Sequence, residues 1–199
     1  MLYKYRSLDN MDWIAGIIME GKIHASEYTK LNDPMEGTFW HYGLHKDLLE
    51  KIERDKKKWR ICSFSKKWDN HLMWTFYANL WKGIVIGIDE KSLKLQYGDN
   101  VSKISYSGIS DVENDNITSK GVKEILSCKT KDWQYEKEVR VFTEDDFITV
   151  EIEKVILGYK ISHYNKLIIE LLVNDVNRNR TKKIEIVELN KEILLKTKK

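Results

Sequence analysis

The sequence predicts an α+β fold, because its strand-like and helix-like segments follow one another without the regular alternation of a doubly wound parallel sheet. Hydrophobic residues make up 42% of the 199 residues and aromatic residues 11%, which is enough to bury a core of ordinary size. No internal repeat, low-complexity tract or linker rich in proline and glycine interrupts the chain. We therefore expect residues 1–199 to form a single domain.

The first sixty residues predict one strand, two helices and a sharp turn. Leu2 to Arg6 alternates in the manner of a short strand, and Asp9 or Asn10 can cap an amphipathic helix that ends near Gly21. The next predicted segments are an extended path over 22–25, a turn at the only proline in Asn32-Asp33-Pro34, and a helix with a charged outer face over about 39–57.

The remaining sequence predicts further short strands between helices. Residues 59–65 resemble a buried strand that ends in serines, and the apolar run over 83–89 favours a strand buried on both faces. The other predicted segments are a helix over 71–80 capped by Asp69 or Asn70, a strand over 101–106, a polar loop over 111–116, a helix over 119–128, strands over 147–152 and 154–158, a helix capped by Ser162, and a strand over 183–189 before a basic tail.

Composition and motifs exclude several classes of protein. The net charge of +3 tolerates a polyanionic partner without requiring one, and Cys62 and Cys128 lack the spacing of a metal site. No apolar run approaches the roughly 20 residues that cross a bilayer, and the N-terminus lacks a signal core, so we expect a cytoplasmic protein with no membrane partner. The phosphate-binding glycine loop, the Rossmann fingerprint and the serine nucleophile elbow are all absent.

Two carboxylates stand two residues apart in the segment that we expect to carry function. Glu136 and Glu138 introduce the strand-like Val139 and Val141, and in a strand such a pair projects from one face. Neighbouring carboxylates can divide labour when their surroundings push their pKa values apart. The alternative is that Glu136, Glu138 and Arg140 decorate the wet face of an ordinary edge strand.

Polar residues at three predicted strand ends suggest chemistry on a dinucleotide. These are Arg6, the serines Ser63 and Ser65, and the glutamates Glu136 and Glu138. Arginine binds a pyrophosphate with a planar, permanently charged fork, and serine can hold a ribose hydroxyl. A glutamate that accepts a hydrogen bond from the ribose can stabilise an oxocarbenium-like centre as a glycosidic bond breaks.

The order of these residues resembles a signature of the ADP-ribosyltransferase superfamily. Arg6, then Ser63-Phe64-Ser65, then Glu136-Lys137-Glu138 is similar to its arginine, serine-x-serine, glutamate-x-glutamate branch, with Phe64 where threonine is usual. Four further strings resemble the bacterial domain of unknown function numbered 2971: Leu2-Tyr3-Lys4-Tyr5-Arg6, Asn32-Asp33-Pro34-Met35-Glu36-Gly37, Met73-Trp74-Thr75-Phe76-Tyr77 and Trp133-Gln134-Tyr135-Glu136-Lys137-Glu138-Val139-Arg140.

The resemblance implies a fold, a substrate and a reaction. It implies a split, mostly antiparallel β core with peripheral helices and with NAD, as substrate, in the cleft between its halves. It implies transfer of ADP-ribose to a macromolecular acceptor, protein or nucleic acid, in a bacterial toxin or antiviral defence setting with an antitoxin or defence partner. No metal is implied.

The resemblance also implies roles for individual residues. Glu138 would bind the ribose hydroxyl and stabilise the transition state, while Glu136 would assist the acceptor nucleophile. The residues implied to bind NAD are Arg6, Ser63, Ser65, Trp74 and Tyr77. The implied acceptor loop is Trp133, Gln134 and Tyr135.

Several of these residues have plainer interpretations. Trp74 and Tyr77 lie at helical spacing, as core aromatics do, and the segment 32–37 has the composition of a structural turn. His41 and His45 lie four apart on a predicted helix, a spacing shared by metal ligands and by solvated faces. Two other functions stay open. One is a catalytically silent, nucleotide-binding sensor, and the other is a nucleic-acid-binding protein that uses the basic run Lys56-Lys57-Lys58.

Overall fold

The computed structural model describes residues 1–112 and 119–190. They form a mixed α/β structure with a mostly antiparallel sheet, which confirms the α+β class, while the ADP-ribosyltransferase type of that fold stays a prediction. The chain divides into two compact units. Unit 1 comprises residues 1–23, 64–96 and the chain from 149 onward, and unit 2 comprises residues 24–63 and 97–148.

Short helices and strands make up both units. The α-helices are α1 (Met11–Glu20), α2 (Lys46–Lys58), α3 (His71–Tyr77), α4 (Glu90–Tyr97), α5 (Ser119–Ile125) and α6 (His163–Arg178). The strands are β1 (Leu2–Arg6), β2 (Lys22–His24), β3 (Ser26–Glu27), β4 (Phe39–His41), β5 (Arg60–Ser65), β6 (Ile84–Ile88), β7 (Val101–Lys103), β8 (Ser110–Val112), β9 (Glu138–Thr143), β10 (Phe147–Thr149), β11 (Ile152–Leu157) and β12 (Glu185–Glu188). Short 3-10 helices span Tyr28–Lys30, Gly98–Asn100 and Lys131–Glu136.

Unit 1 is organised around β6. This strand pairs antiparallel with β1 on one side and with β11 on the other, and β12 runs parallel to β11. All five residues of β6 are buried, as its unbroken apolar sequence predicts. The helix α1 is capped at its start by Asn10, whose side chain accepts a hydrogen bond from the backbone N–H of Trp13, and at its end by Gly21 in the left-handed conformation.

Unit 2 is organised around β9. The strand order within this unit is β5, β9, β7, and the β7–β9 pairing is antiparallel with Val101 opposite Val141. All six residues of β9 are buried, so charged side chains on this strand lie inside the unit. Tyr28, Val122, Leu126 and Phe142 are among the residues that form the apolar core beside it.

One predicted helix differs from the observed structure in its first part. The helix predicted over 39–57 is wrong in its first part, because Phe39 to His41 forms β4, paired parallel to β8, and α2 begins only at Lys46. Aromatic residues favour extended pairing over a helical turn, which explains the difference. His41 and His45 therefore do not share a helix. The predicted loop 111–116 and the basic tail lie partly or wholly outside the described residues.

Candidate active site

The two carboxylates lie on either side of a left-handed turn in unit 2. Glu136 ends the 3-10 helix Lys131–Glu136, Lys137 has φ of 47°, and Glu138 is the first residue of β9. The residues predicted as an acceptor loop, Trp133 to Tyr135, therefore form part of a short helix. Because the strand begins at Glu138, strand periodicity does not bring the two carboxylates together.

A buried lysine joins the two carboxylates. Lys129 Nζ lies 2.7 Å from Glu136 Oε2 and 2.7 Å from Glu138 Oε2, and the three side chains are at most 7% exposed. The ammonium also lies 5.1 Å from the centre of the Trp133 ring. The backbone of Lys129 is fixed, because its N–H donates to the Ser105 carbonyl at 2.9 Å. One cation thus holds both glutamates in one buried place.

A buried arginine holds Glu138 from the other side. Arg140 Nε donates to Glu138 Oε1 at 2.8 Å, and its two terminal nitrogens contact the two Glu36 oxygens at 2.5 and 2.7 Å. The remaining donors reach Glu138 Oε2 at 3.3 Å and the Leu126 carbonyl. All five N–H groups of the guanidinium are therefore satisfied within unit 2, although the side chain is fully buried.

These contacts keep Glu138 and Lys129 ionised despite their burial. Burial by itself raises the pKa of the Glu138 carboxyl, but Arg140 and Lys129 outweigh it and hold that pKa well below its usual range. Burial lowers the pKa of Lys129, and Glu138 and Glu136 more than offset this effect, so the pKa is raised. Glu138 is therefore a carboxylate, and Lys129 an ammonium, at neutral pH.

A tyrosine accepts a hydrogen bond from the backbone at the start of β9. The Glu138 N–H donates to the Tyr106 hydroxyl oxygen at 2.7 Å. Burial, together with the negative charges of Glu138 and Glu136, raises the pKa of Tyr106 to about 12. Tyr106 is therefore a neutral phenol that can also donate its proton in a hydrogen bond.

The cluster carries unequal numbers of opposite charges. Counted as formal charges, the three glutamates Glu36, Glu136 and Glu138 carry −3 and Lys129 and Arg140 carry +2, so the formal net charge of these five groups is −1. The interpretation of this segment as the wet face of an edge strand is wrong, since Glu136, Glu138 and Arg140 are all buried and β9 lies between β5 and β7. An excess buried charge of this kind favours a cationic group nearby.

The residues predicted to bind NAD lie in both units. Arg6 is the half-buried last residue of β1 in unit 1, and Ser63 is half-buried on β5 in unit 2. Ser65, in unit 1, is buried, and its hydroxyl accepts a hydrogen bond from the Lys67 N–H at 3.0 Å. That Arg6, Ser63 and Glu138 meet around one pocket stays a prediction.

The structure places Trp74 in the core of unit 1. Its indole is fully buried, is stacked on Trp81 with ring centres 4.6 Å apart, and donates to the Trp68 carbonyl at 2.7 Å. With one face against Trp81 and the ring shielded from solvent, Trp74 has the environment of a core aromatic and not of a stacking platform. Tyr77, the last residue of α3, is half-buried.

The predicted acceptor residues lie beside the carboxylates in unit 2. Trp133 and Tyr135 are half-buried, with ring centres 6.2 Å apart, and Gln134 between them is exposed. Burial and the neighbouring Glu136 raise the pKa of Tyr135, so its hydroxyl stays protonated. Partly exposed aromatic rings next to a buried carboxylate pair offer a contact surface for a second molecule.

Sequence reasoning missed the groups that hold the carboxylates. Lys129 follows Ser127-Cys128 and matches no motif. Arg140 was visible in principle, because it lies two residues after Glu138 and therefore on the same face of the strand. Glu36 is a buried residue of a turn whose Pro34 and Met35 are exposed, and Asp33 Oδ1 accepts a hydrogen bond from the Met35 N–H there at 2.9 Å.

Other candidate sites find less support among the described residues. No group of three or more histidine, cysteine or acidic side chains in residues 1–112 and 119–190 could hold a metal ion. No helix in the same part of the chain is long and apolar enough to cross a membrane. Within the basic run, Lys56 is only 3% exposed and donates to the Gly37 carbonyl, so its charge faces the protein.

Comparisons of the chain with protein-family models, with curated proteins and with solved structures found no match.

Proposed function

We propose that this protein is an NAD-dependent ADP-ribosyltransferase that acts in the bacterial cytoplasm on a macromolecular acceptor, protein or nucleic acid. The sequence resemblance suggests this activity, together with a toxin or defence setting and a neutralising partner. The observation that carries the proposal is the state of Glu138, a buried carboxylate kept ionised at the start of β9 and paired with Glu136.

The charge of the cluster suits this chemistry. The nicotinamide ring of NAD is a cation, and the ribose develops positive charge as the glycosidic bond breaks. Five buried groups with a net charge of −1 stabilise a positive centre more strongly than they would in water, because the surrounding dielectric constant is low.

Glu138 retains capacity for a substrate hydroxyl. A carboxylate offers about four acceptor positions, and the contacts from Arg140 and Lys129 occupy three of them, counted over the described residues. The fourth position, on Oε1, can accept a hydrogen bond from the ribose. In the reaction, the bond between ribose C1′ and the nicotinamide nitrogen breaks, and its electron pair leaves with neutral nicotinamide. The acceptor nucleophile bonds to C1′, and Glu136 takes the proton that the nucleophile loses.

A second candidate is a catalytically silent nucleotide-binding sensor. The observation that favours it is that both Glu138 oxygens already accept hydrogen bonds from cations. A carboxylate engaged in this way can serve as a structural part of an ion-pair network. Such a protein would bind NAD without cleaving it.

Release of nicotinamide from NAD distinguishes the two functions. The assay compares the wild type with Glu138→Gln and Glu138→Asp, with and without RNA, DNA or a bacterial lysate as acceptor. Glu144→Gln is the control, because Glu144 is exposed in the same unit. The transferase should lose at least about a hundredfold in turnover in Glu138→Gln, while Glu144→Gln keeps the wild-type rate. NAD binding with no release under any condition would favour the sensor.

A further inference from the structure

Lys129 occupies a position that neither the sequence motifs nor the proposed chemistry assigns. Its ammonium lies between the carboxylates of Glu136 and Glu138 and meets the Oε2 atom of each at 2.7 Å. Two carboxylates that share a buried site repel one another, and without a cation between them one takes up a proton. A protonated glutamate can neither stabilise a positive centre as a carboxylate nor accept a proton from a nucleophile.

The backbone of Lys129 is held by hydrogen bonds that do not involve the two carboxylates. Its N–H donates to the Ser105 carbonyl at 2.9 Å, its carbonyl accepts from the Gly108 N–H at 3.1 Å, and Cys128 beside it forms a parallel bridge with Ser105. The side chain starts from this fixed backbone, and its ammonium is held by the two carboxylates and the Trp133 ring before any substrate binds. Its ordering therefore costs little when substrate binds.

We propose that Lys129 is the positioning residue of this site: it holds Glu136 and Glu138 together as one ionised pair that acts on the substrate. This inference rests on the proposed transferase function and names the residue on which the function of the pair depends. The groups that face or electrostatically influence its ammonium are Glu136 and the Trp133 and Tyr135 rings from the 3-10 helix, Glu138 and Arg140 from β9, and Tyr106.

Substitution of Lys129 should change the pH dependence of catalysis more than the binding of NAD. In Lys129→Met the pair loses the cation that joins it and keeps only the Arg140 contacts on Glu138, so the pKa of a carboxyl group rises. On the acid limb of the rate profile kcat should therefore fall about tenfold or more at a given pH, while KM for NAD stays within about threefold. The acid limb of the rate profile should move up by about one pH unit or more. Lys129→Arg keeps the charge and should keep the acid limb near its wild-type position. Lys131→Met, an exposed lysine on the adjoining 3-10 helix, is the matched control.

The experiment combines two readouts, so that failure of the inference and failure of the proposed function give different results. Nicotinamide release is measured from pH 5 to 9 for the three variants and the wild type. The glutamate carboxyl groups of ¹³C-labelled protein are titrated by NMR without substrate. No release by the wild type would reject the transferase function, whereas unchanged kcat and profile in Lys129→Met would reject the role of Lys129.

The NMR titration decides the role of Lys129 even in an inactive protein. A carboxyl group in Lys129→Met should titrate at least one pH unit higher than in the wild type, and identical titrations would overturn the proposal. If Lys129→Met does not fold, Lys129→Gln, which keeps a hydrogen-bond donor and removes the charge, takes its place in the same titration. An unchanged glutamate titration in that variant would overturn the proposal.

Discussion

Replacement of Arg140 by leucine tests whether the buried charge cluster holds unit 2 together. The guanidinium is fully buried and donates five hydrogen bonds, four of them to the carboxylates of Glu36 and Glu138. Leucine fills part of the space but leaves Glu36 without this partner and Glu138 with Lys129 alone. Removal of one member of a buried ion pair costs about 3–5 kcal/mol, a large share of the roughly 5–15 kcal/mol by which proteins are stable.

The expected loss is measurable by urea denaturation followed by circular dichroism. With a urea dependence of about 2 kcal/mol per molar, a loss of about 3–5 kcal/mol moves the midpoint down by roughly 1.5–2.5 M. Arg178→Leu is the matched control, because Arg178 forms an exposed pair with Asp175, and it should cost less than about 1 kcal/mol. A loss below about 1 kcal/mol in Arg140→Leu would refute the view that the cluster stabilises the fold.

The same variant should show a defined pH dependence. In the wild type the Glu138 pKa is lowered, so the stability it contributes is present above the ordinary carboxyl pKa of about 4.3 and is lost as the pH falls toward the lowered pKa. In Arg140→Leu, burial is opposed by Lys129 alone, and the pKa of Glu138 rises. The difference in unfolding free energy between wild type and variant should therefore be largest near pH 7 and shrink at pH 4. A difference that grows on acidification would contradict this account.

Two further predictions use buried residues with exposed counterparts. Trp74→Ala should cost about 3–5 kcal/mol because the fully buried indole leaves a cavity, whereas Trp13→Ala, at a ring that is 63% exposed, should change the urea midpoint little. Lys56→Met should cost about 1–3 kcal/mol, because the Gly37 carbonyl loses its donor, and the exposed Lys57→Met should stay within about 0.5 kcal/mol. Equal midpoints within either pair would show that burial does not set the cost.

Local patterns allowed much of the fold to be predicted. The strand β1 has the predicted bounds, Ser162 caps α6 by accepting from the Asn165 N–H, and β6 is buried on both faces as its apolar run indicates. In each case the element is determined by interactions between residues close in sequence, or its burial follows from its hydrophobic pattern. The helix α4 was not predicted, since only Leu93 in it is buried and its apolar face is correspondingly narrow.

The candidate site could be predicted only in part, because its ion pairs join distant segments. Glu136 and Glu138 stand out as neighbouring carboxylates, but Glu36 lies 104 residues from Arg140, and no local pattern marks them as partners. Lys129 looks like any other lysine in a chain that is 33% charged. Charged residues are usually exposed, and nothing in the local sequence shows when one is buried. The sequence pattern therefore suggested a solvent-exposed strand face where the structure has a buried cluster.

Glu138 forms ion pairs with both Arg140 and Lys129, so its substitution affects two sets of contacts at once. Arg140 connects Glu138 to Glu36 and thereby to the turn at residues 33–37, and Lys129 connects it to Glu136 and the 3-10 helix that carries Trp133 and Tyr135. Glu138→Gln therefore removes charge from the proposed chemistry and from the structural network together. Glu138→Asp keeps the negative charge on a side chain that is shorter by one methylene. If Glu138→Asp folds as the wild type does and releases no nicotinamide, the catalytic role of Glu138 is separate from its role in stability. A different result is that Glu138→Gln lowers the unfolding free energy as much as Arg140→Leu does, while Glu138→Asp keeps both the fold and nicotinamide release. That result would show that the contacts of the carboxylate with Arg140 and Lys129 support both the stability and the reaction.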